Sequence, residues 1–212
     1  ASEEMVLHGK SVGTCVGLGS HGIALPPIVK AGTPEQKARF AAPVLRGELV
    51  SALGITEPGG GSDVASLRTR AVRDGDHYVV DGSKTFITSG TRADFVTCAV
   101  RTGGAGHGGI SMMIIERSTP GFSVSKKLHK MGWWASDTAE LTFEGCRVPA
   151  GNLIGRENAG FGIIMQNFVP ERLMLAGQCV AIAELALRET LAYCKEREAF
   201  GQRVIDFQNT RF

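Results

Sequence analysis

The sequence predicts an α+β fold: a helical segment, an all-β middle, and a second helical segment that closes the chain. Three observations predict it. Residues 1–47 are rich in Gly and Ala and carry helix-start and helix-stop signals. Between residue 50 and about residue 148 the apolar period drops to two and turn residues recur. After Pro149 a helical period returns and persists to about Arg197.

The first part, residues 1–48, reads as the end of a helical domain. Pro26-Pro27 ends or interrupts a helix, because proline lacks the N–H donor and clashes with the preceding turn. Gly17-Leu-Gly19-Ser-His-Gly22 formally matches a dinucleotide fingerprint. No strand precedes it and no acidic residue lies about 20 positions on, so it reads as small residues that let helices approach closely. Thr33-Pro-Glu-Gln36 is a capping box with proline at the first helical position, and Gly47 is a stop.

The middle part, residues 49–150, opens with a strand at 50–56 that breaks at Glu57-Pro58. Three glycines follow and close on Ser62 and Asp63. Such a backbone can turn sharply and come close to a ligand. Its N–H groups can form an anion-binding concavity, with the Thr56 and Ser62 hydroxyls as further donors. Residues 68–73 and 77–81 alternate around Asp74-Gly75-Asp76, a hairpin signal. Further strands are expected at 84–88, 95–101, 110–116, 122–126 and 139–143. About six to eight short strands at this spacing suggest an antiparallel sandwich or barrel. Residues 101–109 read as a mobile glycine-rich loop with a solvated His107.

The third part, residues 151–212, reads as the start of a helical bundle. A helix starts at Asn158 or Gly160, passes Pro170 and runs to about Arg197. Its expected inner face carries Leu173, Leu175, Ala176, Cys179, Val180, Ala183, Ala186 and Leu187. Gly201 ends the segment. The chain starts at Ala1 inside a helical pattern and stops at Phe212 in mid-pattern, so it reads as part of a longer protein.

Composition excludes several classes. The 23 basic and 21 acidic residues leave a net charge of +2, which gives no bulk attraction to nucleic acid or an anionic membrane. The five cysteines are scattered and form no Cys-x-x-Cys pair, and the five histidines show no ligand spacing. Reduced thiols in a reducing compartment are expected, with neither a disulfide framework nor a metal site. No apolar run is long enough for membrane insertion, and no signal-peptide pattern stands at the N-terminus.

Residues 53–63, Leu-Gly-Ile-Thr-Glu-Pro-Gly-Gly-Gly-Ser-Asp, closely resemble the flavin-binding signature of the acyl-CoA dehydrogenases. Phe86-Ile-Thr88 after Asp81-Gly-Ser-Lys84 continues the resemblance. So do Lys127-Leu-His-Lys-Met-Gly132, Ser136-Asp-Thr-Ala-Glu-Leu141, Phe143-Glu144, Val148-Pro149, Glu157-Asn-Ala-Gly-Phe161, Arg197-Glu-Ala-Phe-Gly201 and Phe207-Gln208. The series covers nearly the whole chain in order. It implies FAD as cofactor, an acyl-CoA substrate, electron-transfer flavoprotein as acceptor, and a homotetramer built as a dimer of dimers. Leu53, Gly54, Ile55, Thr56, Gly59, Gly60, Gly61 and Ser62 are implied to lie against the flavin. Phe86, Ile87 and Thr88 are implied to lie beside its ring. Many members have Trp at the position of Phe86; Phe is similar to the long-chain branch and keeps an aromatic wall. Arg197, Phe200 and Gln208 match positions that reach the FAD of a neighbouring subunit, and arginine suits a phosphate by charge and donor geometry.

The reaction that the resemblance implies removes a proton at Cα of the thioester and a hydride at Cβ. It needs a carboxylate near Cα and donors for the enolate oxygen. In the isovaleryl-CoA and long-chain branches that carboxylate belongs to a Glu-Arg pair on an early helix. Pro170-Glu171-Arg172-Leu-Met-Leu-Ala176 looks like that arrangement, which makes Glu171 the expected base. Taken alone, Glu171 is a carboxylate in the first turn after a proline, favoured by the helix dipole. A desolvated site would raise its pKa. Arg172 would organise the helix and substrate region, and Ser62, Gly162, Val169 and Pro170 would line the substrate channel. One backbone donor for the enolate belongs to a later segment of the family, and losing such a donor costs ~100- to 1000-fold in rate. This stretch by itself is therefore expected to be nearly inactive.

Three other readings stay open at this point: an acyl-CoA oxidase-like flavoprotein, a non-catalytic flavin- or acyl-CoA-binding relative, and a nicotinamide enzyme resting only on residues 17–22. The lack of a transit-peptide pattern points to a bacterial cytoplasm, with the mitochondrial matrix as the eukaryotic equivalent.

Overall fold

The computed structural model describes residues 2–212, without the side chains of Ser2, Ser20 and His21. Its first part runs through α1 (Ser2–Gly9), α2 (Val12–Ala24) and α3 (Pro26–Ala31). The break falls at Pro26, whose ring suits the first turn of a new helix rather than the interior of an old one. The glycine-rich stretch at 17–22 lies inside α2; within it, the side chains of Ser20 and His21 lie outside the described residues. Close packing explains Gly17: an added Cβ would stand 2.8 Å from the Ala135 carbonyl oxygen.

The capping box forms as read. Gln36 N–H donates to Thr33 Oγ1 at 3.2 Å and Thr33 N–H to Gln36 Oε1 at 3.1 Å. This starts α4 (Pro34–Gln36), which continues through a π-helical turn (Lys37–Ala41) into α5 (Ala42–Leu45). The wider turn suits Pro43, which has no N–H to give. Gly47, at φ +77°, donates to the Val44 carbonyl and ends the helix.

Eight strands form one sheet: β1 (Ser51–Gly54), β2 (Arg70–Asp74), β3 (His77–Thr88), β4 (Phe95–Arg101), β5 (Ile110–Glu116), β6 (Phe122–Lys127), β7 (Thr138–Pro149) and β8 (Leu153–Ile154). Their order is β6-β7-β3-β2-β4-β5-β8, with β1 against β4. The sheet is mixed, which corrects the purely antiparallel expectation: β1 and β2 both meet β4 in parallel. A whole hairpin, β2–β3, intervenes between β1 and β4, and that long crossover lets the two run in the same direction. The two strands expected at 77–81 and 84–88 are one strand bent at Gly82. There the register against β7 shifts, φ is +145°, and an added Cβ would lie 2.7 Å from Thr69 Cα.

The chain ends with the long helix α6 (Gly160–Glu196), the short pair β9 (Glu198–Ala199) and β10 (Gln202–Arg203), and α7 (Gln208–Arg211). Strands β4 and β5 are buried on both faces, so their sequence is continuously apolar rather than alternating. One face, with Val96, Cys98, Val100, Met113 and Ile115, meets Tyr78, Val80 and Phe143 in the interior of the curled sheet. The other, with Phe95, Ala99, Met112 and Ile114, meets Ile28, Phe40 and Ile164 from the helices.

The expected inner face of α6 is outside. Leu173, Val180 and Leu187 are exposed, whereas Ile164, Asn167, Gln178 and Ala181 turn inward. The pattern correctly marks an apolar stripe; only the opposite side of α6 is covered in this chain. Among the described residues, no single helix is long and apolar enough to cross a membrane.

Candidate active site

Two segments far apart in sequence meet at the end of β1. Thr85 N–H donates to the Thr56 carbonyl at 2.9 Å. Beside this junction the fully buried Lys84 donates to the Ile55 carbonyl at 3.1 Å and to Glu57 Oε1 at 2.9 Å. The Glu57 carboxylate also accepts from the N–H groups of Arg68 at 2.6 Å and Thr69 at 2.9 Å. Burial pushes the Glu57 carboxyl up, but the Lys84 ammonium and these donors outweigh it and hold it below its ordinary value. The cluster fixes the start of the glycine loop, where Glu57 and Gly60 exchange backbone bonds at 3.0 Å. Gly61 lies against Thr56: an added Cβ would sit 3.0 Å from Thr56 Cγ2. Gly59 and Gly60 face open space, and Ser62 is exposed.

The neighbouring residues Phe86, Ile87 and Thr88 divide their roles. Phe86 has φ +58°, an outlier for a bulky residue, at a second register shift of β3. The shift turns its ring out of the sheet, leaving it 68% exposed. Ile87 is buried in the sheet interior, as Ile55 and the half-buried Leu53 belong to the helix-side core. These three therefore offer backbone, not side chains, to any ligand. The exposed ring, a threonine two residues on and an open glycine loop supply an aromatic face, a hydroxyl and backbone N–H donors, the groups that a flat heterocycle with an anionic tail requires.

Thr88 also lines a cavity of about 180 Å³ between α2 and α6, together with Cys15, Gly19, Ile23, Trp133 and Glu171. Its walls are mainly apolar, and among the described residues its one carboxylate is Glu171. Burial raises the Glu171 pKa to about 7, although Arg172 works in the opposite direction. Asn167, buried one turn earlier, donates through Nδ2 to Glu171 Oε1 and, at 3.0 Å, to the Ile23 carbonyl. A wider cleft of about 650 Å³ beside Arg68, Arg70 and Arg101 holds none of the expected site residues. Arg101 there donates to the carbonyls of Ala65, Leu67, Gly104 and Gly106. The glycine-rich loop read as mobile is thus stapled to the sheet, and its exposed His107 stacks on Phe161 with ring centroids 4.2 Å apart.

Other expected residues are not brought to this cavity. Gly162, Val169, Pro170 and Arg172 are exposed on other sides of α6, with the Arg172 guanidinium over the Phe168 ring. Arg197, Phe200 and Gln208 follow the far end of α6, which lies about 40 Å along the helix from Glu171 at 1.5 Å per residue. Sequence reading missed Asn167 and Trp133. Asn167 had a signal, an amide four residues before the carboxylate. Trp133 had none, because its place depends on a loop packing against Gly13 and Gly17.

Family models for the acyl-CoA dehydrogenase middle domain and C-terminal domain match residues 52–146 and 158–212. The mitochondrial isovaleryl-CoA dehydrogenase of Pongo abelii is 39% identical over 97% of this chain and 49% of its own length. The crystal structure of acyl-CoA dehydrogenase from Geobacillus kaustophilus superposes with a TM-score of 0.92 at 43% identity, covering 99% of this chain and 56% of that one. A glutaryl-CoA dehydrogenase from Mycobacterium smegmatis, in complex with FADH2, gives 0.88 at 28% identity over 100% of this chain and 53% of its own. The chain belongs to the acyl-CoA dehydrogenase family. It spans about half the length of the curated relatives it matches.

Proposed function

We propose that this chain is the base-bearing and flavin-facing part of an FAD-dependent acyl-CoA dehydrogenase, which converts an acyl-CoA thioester to the trans-2-enoyl-CoA. The observation that carries the reading is Glu171: a carboxylate with its pKa raised to about 7, in an apolar cavity shared with Thr88 at the flavin cradle. FAD, when bound, supplies the two-electron acceptor. Leu53–Thr56 and Gly59–Ser62 hold it by backbone and hydroxyl groups, and Phe86 and Thr88 stand beside its ring. Glu171 takes the proton from Cα, and the apolar walls keep water from competing for it. Ser62, Gly162, Val169, Pro170 and Arg172 belong to the substrate channel.

Arg197, Phe200 and Gln208, too far along α6 to serve the same flavin, serve that of a neighbouring subunit in a homotetramer. Electrons leave to an electron-transfer flavoprotein, in a bacterial cytoplasm or a mitochondrial matrix. The domain boundaries of this reading are 1–48, 49–150 and 151–212.

The test uses the full-length protein, mixed anaerobically with a panel of acyl-CoA thioesters, as wild type and as Glu171→Gln. Bleaching of the flavin in the wild type alone is the expected result. Equal bleaching in both proteins moves the base elsewhere, and a flavoprotein that no thioester bleaches is not a dehydrogenase.

A further inference from the structure

Asn167 is nine-tenths buried on the inward side of α6, yet its side chain does not simply fill space. It stands one helical turn before Glu171, on the same face. The Nδ2 group has two protons, and both are directed: one to the Ile23 carbonyl at 3.0 Å, the other to Glu171 Oε1. The Ile23 bond fixes which way the amide points, because the reversed amide would set its oxygen against a carbonyl oxygen. Ile23 belongs to α2, the opposite wall of the cavity. One side chain thus ties the two cavity walls together and holds the carboxylate that faces the space between them.

We propose that Asn167 is a positioning residue for Glu171, holding the ionised carboxylate in the orientation from which it accepts the substrate's α-proton. The inference rests on the dehydrogenase reading above. Desolvation drives Glu171 toward the acid; a bond donated to the charged form favours that form, so the Asn167 amide works in the opposite direction. The charged and titratable groups near Glu171 are few. Arg172 is its neighbour on α6, and among the described residues Cys15, from α2, is the other titratable group lining the cavity.

The experiment compares full-length wild type with Asn167→Ala and the isosteric Asn167→Asp, in Glu171 and Glu171→Gln backgrounds. Two quantities are followed from pH 5 to 9: the rate of flavin reduction by an acyl-CoA thioester, and the thermal midpoint. Removing the donor is expected to move the rising limb of the rate profile to higher pH by roughly one unit. Asn167→Asp moves it further, because a second carboxylate then faces the first. The pH dependence of the thermal midpoint shifts in the same direction, and Glu171→Gln abolishes both shifts. A midpoint lowered equally at every pH, with an unmoved rate limb, overturns the proposal and leaves Asn167 a packing residue. A wild type whose bound flavin no thioester reduces overturns the dehydrogenase reading and the catalytic role with it; the thermal profiles then show whether the Asn167–Glu171 pairing itself exists.

Discussion

A carboxylate whose pKa lies near 7 is divided between acid and base at neutral pH, which is the useful range for a group that must take a proton and give it back. For Glu171 this has two consequences of defined sign. Under the proposed base role, the rate of flavin reduction in the full-length protein should rise with pH through about 7, because the protonated form cannot accept the α-proton. Stability should move the other way. The folded state prefers the neutral acid, so the stability this group contributes is fully present below about pH 4.5 and is lost as pH rises through about 7. Glu171→Gln should flatten that fall, and a thermal-midpoint series from pH 4 to 8 on both proteins measures it; parallel curves would show that the carboxyl is not desolvated. The candidacy of Glu171 was legible in the Pro-Glu-Arg-Leu run, and so was the upward direction of its pKa. The residues that bury it were not, because they come from α2, far away in the chain.

The element that presents the proposed flavin cradle is the end of β1, and a buried ion pair holds it. Lys84 is wholly enclosed, and among the described residues its ammonium bonds to the Ile55 carbonyl and Glu57. Removing one partner leaves the other charge buried without its counter-ion, which typically costs about 3–5 kcal/mol. Lys84→Met should therefore destabilise the protein by roughly that amount in urea denaturation. The double variant Lys84→Met, Glu57→Leu should cost less than the sum of the two single variants, and strict additivity would show that the pair is not coupled. The Thr-Glu-Pro-Gly run and the Lys84–Thr88 strand were each readable as local patterns. Their adjacency was not, since it follows from the parallel β1–β4 pairing and the bend at Gly82, which turn β3 back beside Thr56. Alternation along a strand reports which face is buried, not which strand lies next to it.

At the scale of the whole molecule, the large uncompensated feature is the outer stripe of α6. Leu173, Val180 and Leu187, with Ala176 and Ala183 between them, recur at alternating steps of three and four, the spacing of a helix that expects helical neighbours. All three large side chains are exposed, Leu173 by 75% and Val180 by 64%. The sequence displayed this stripe plainly. It could not show whether anything covers it, because an apolar period records the need for a partner and not its presence. Contiguous apolar surface of this kind binds hydrophobic dyes and promotes association. The 212-residue chain alone should therefore bind an anilinonaphthalene dye and sediment as more than a monomer. Val180→Glu with Leu187→Glu should reduce both effects while changing the stability of the isolated chain by no more than about 0.5 kcal/mol per site, because neither side chain is buried in it. In the full-length protein the same pair of substitutions should be far more costly if further helices seat on this stripe, since each would then place a charge in an apolar interface. Equal tolerance in the short and long proteins, measured by urea denaturation, would mean that α6 faces solvent in both.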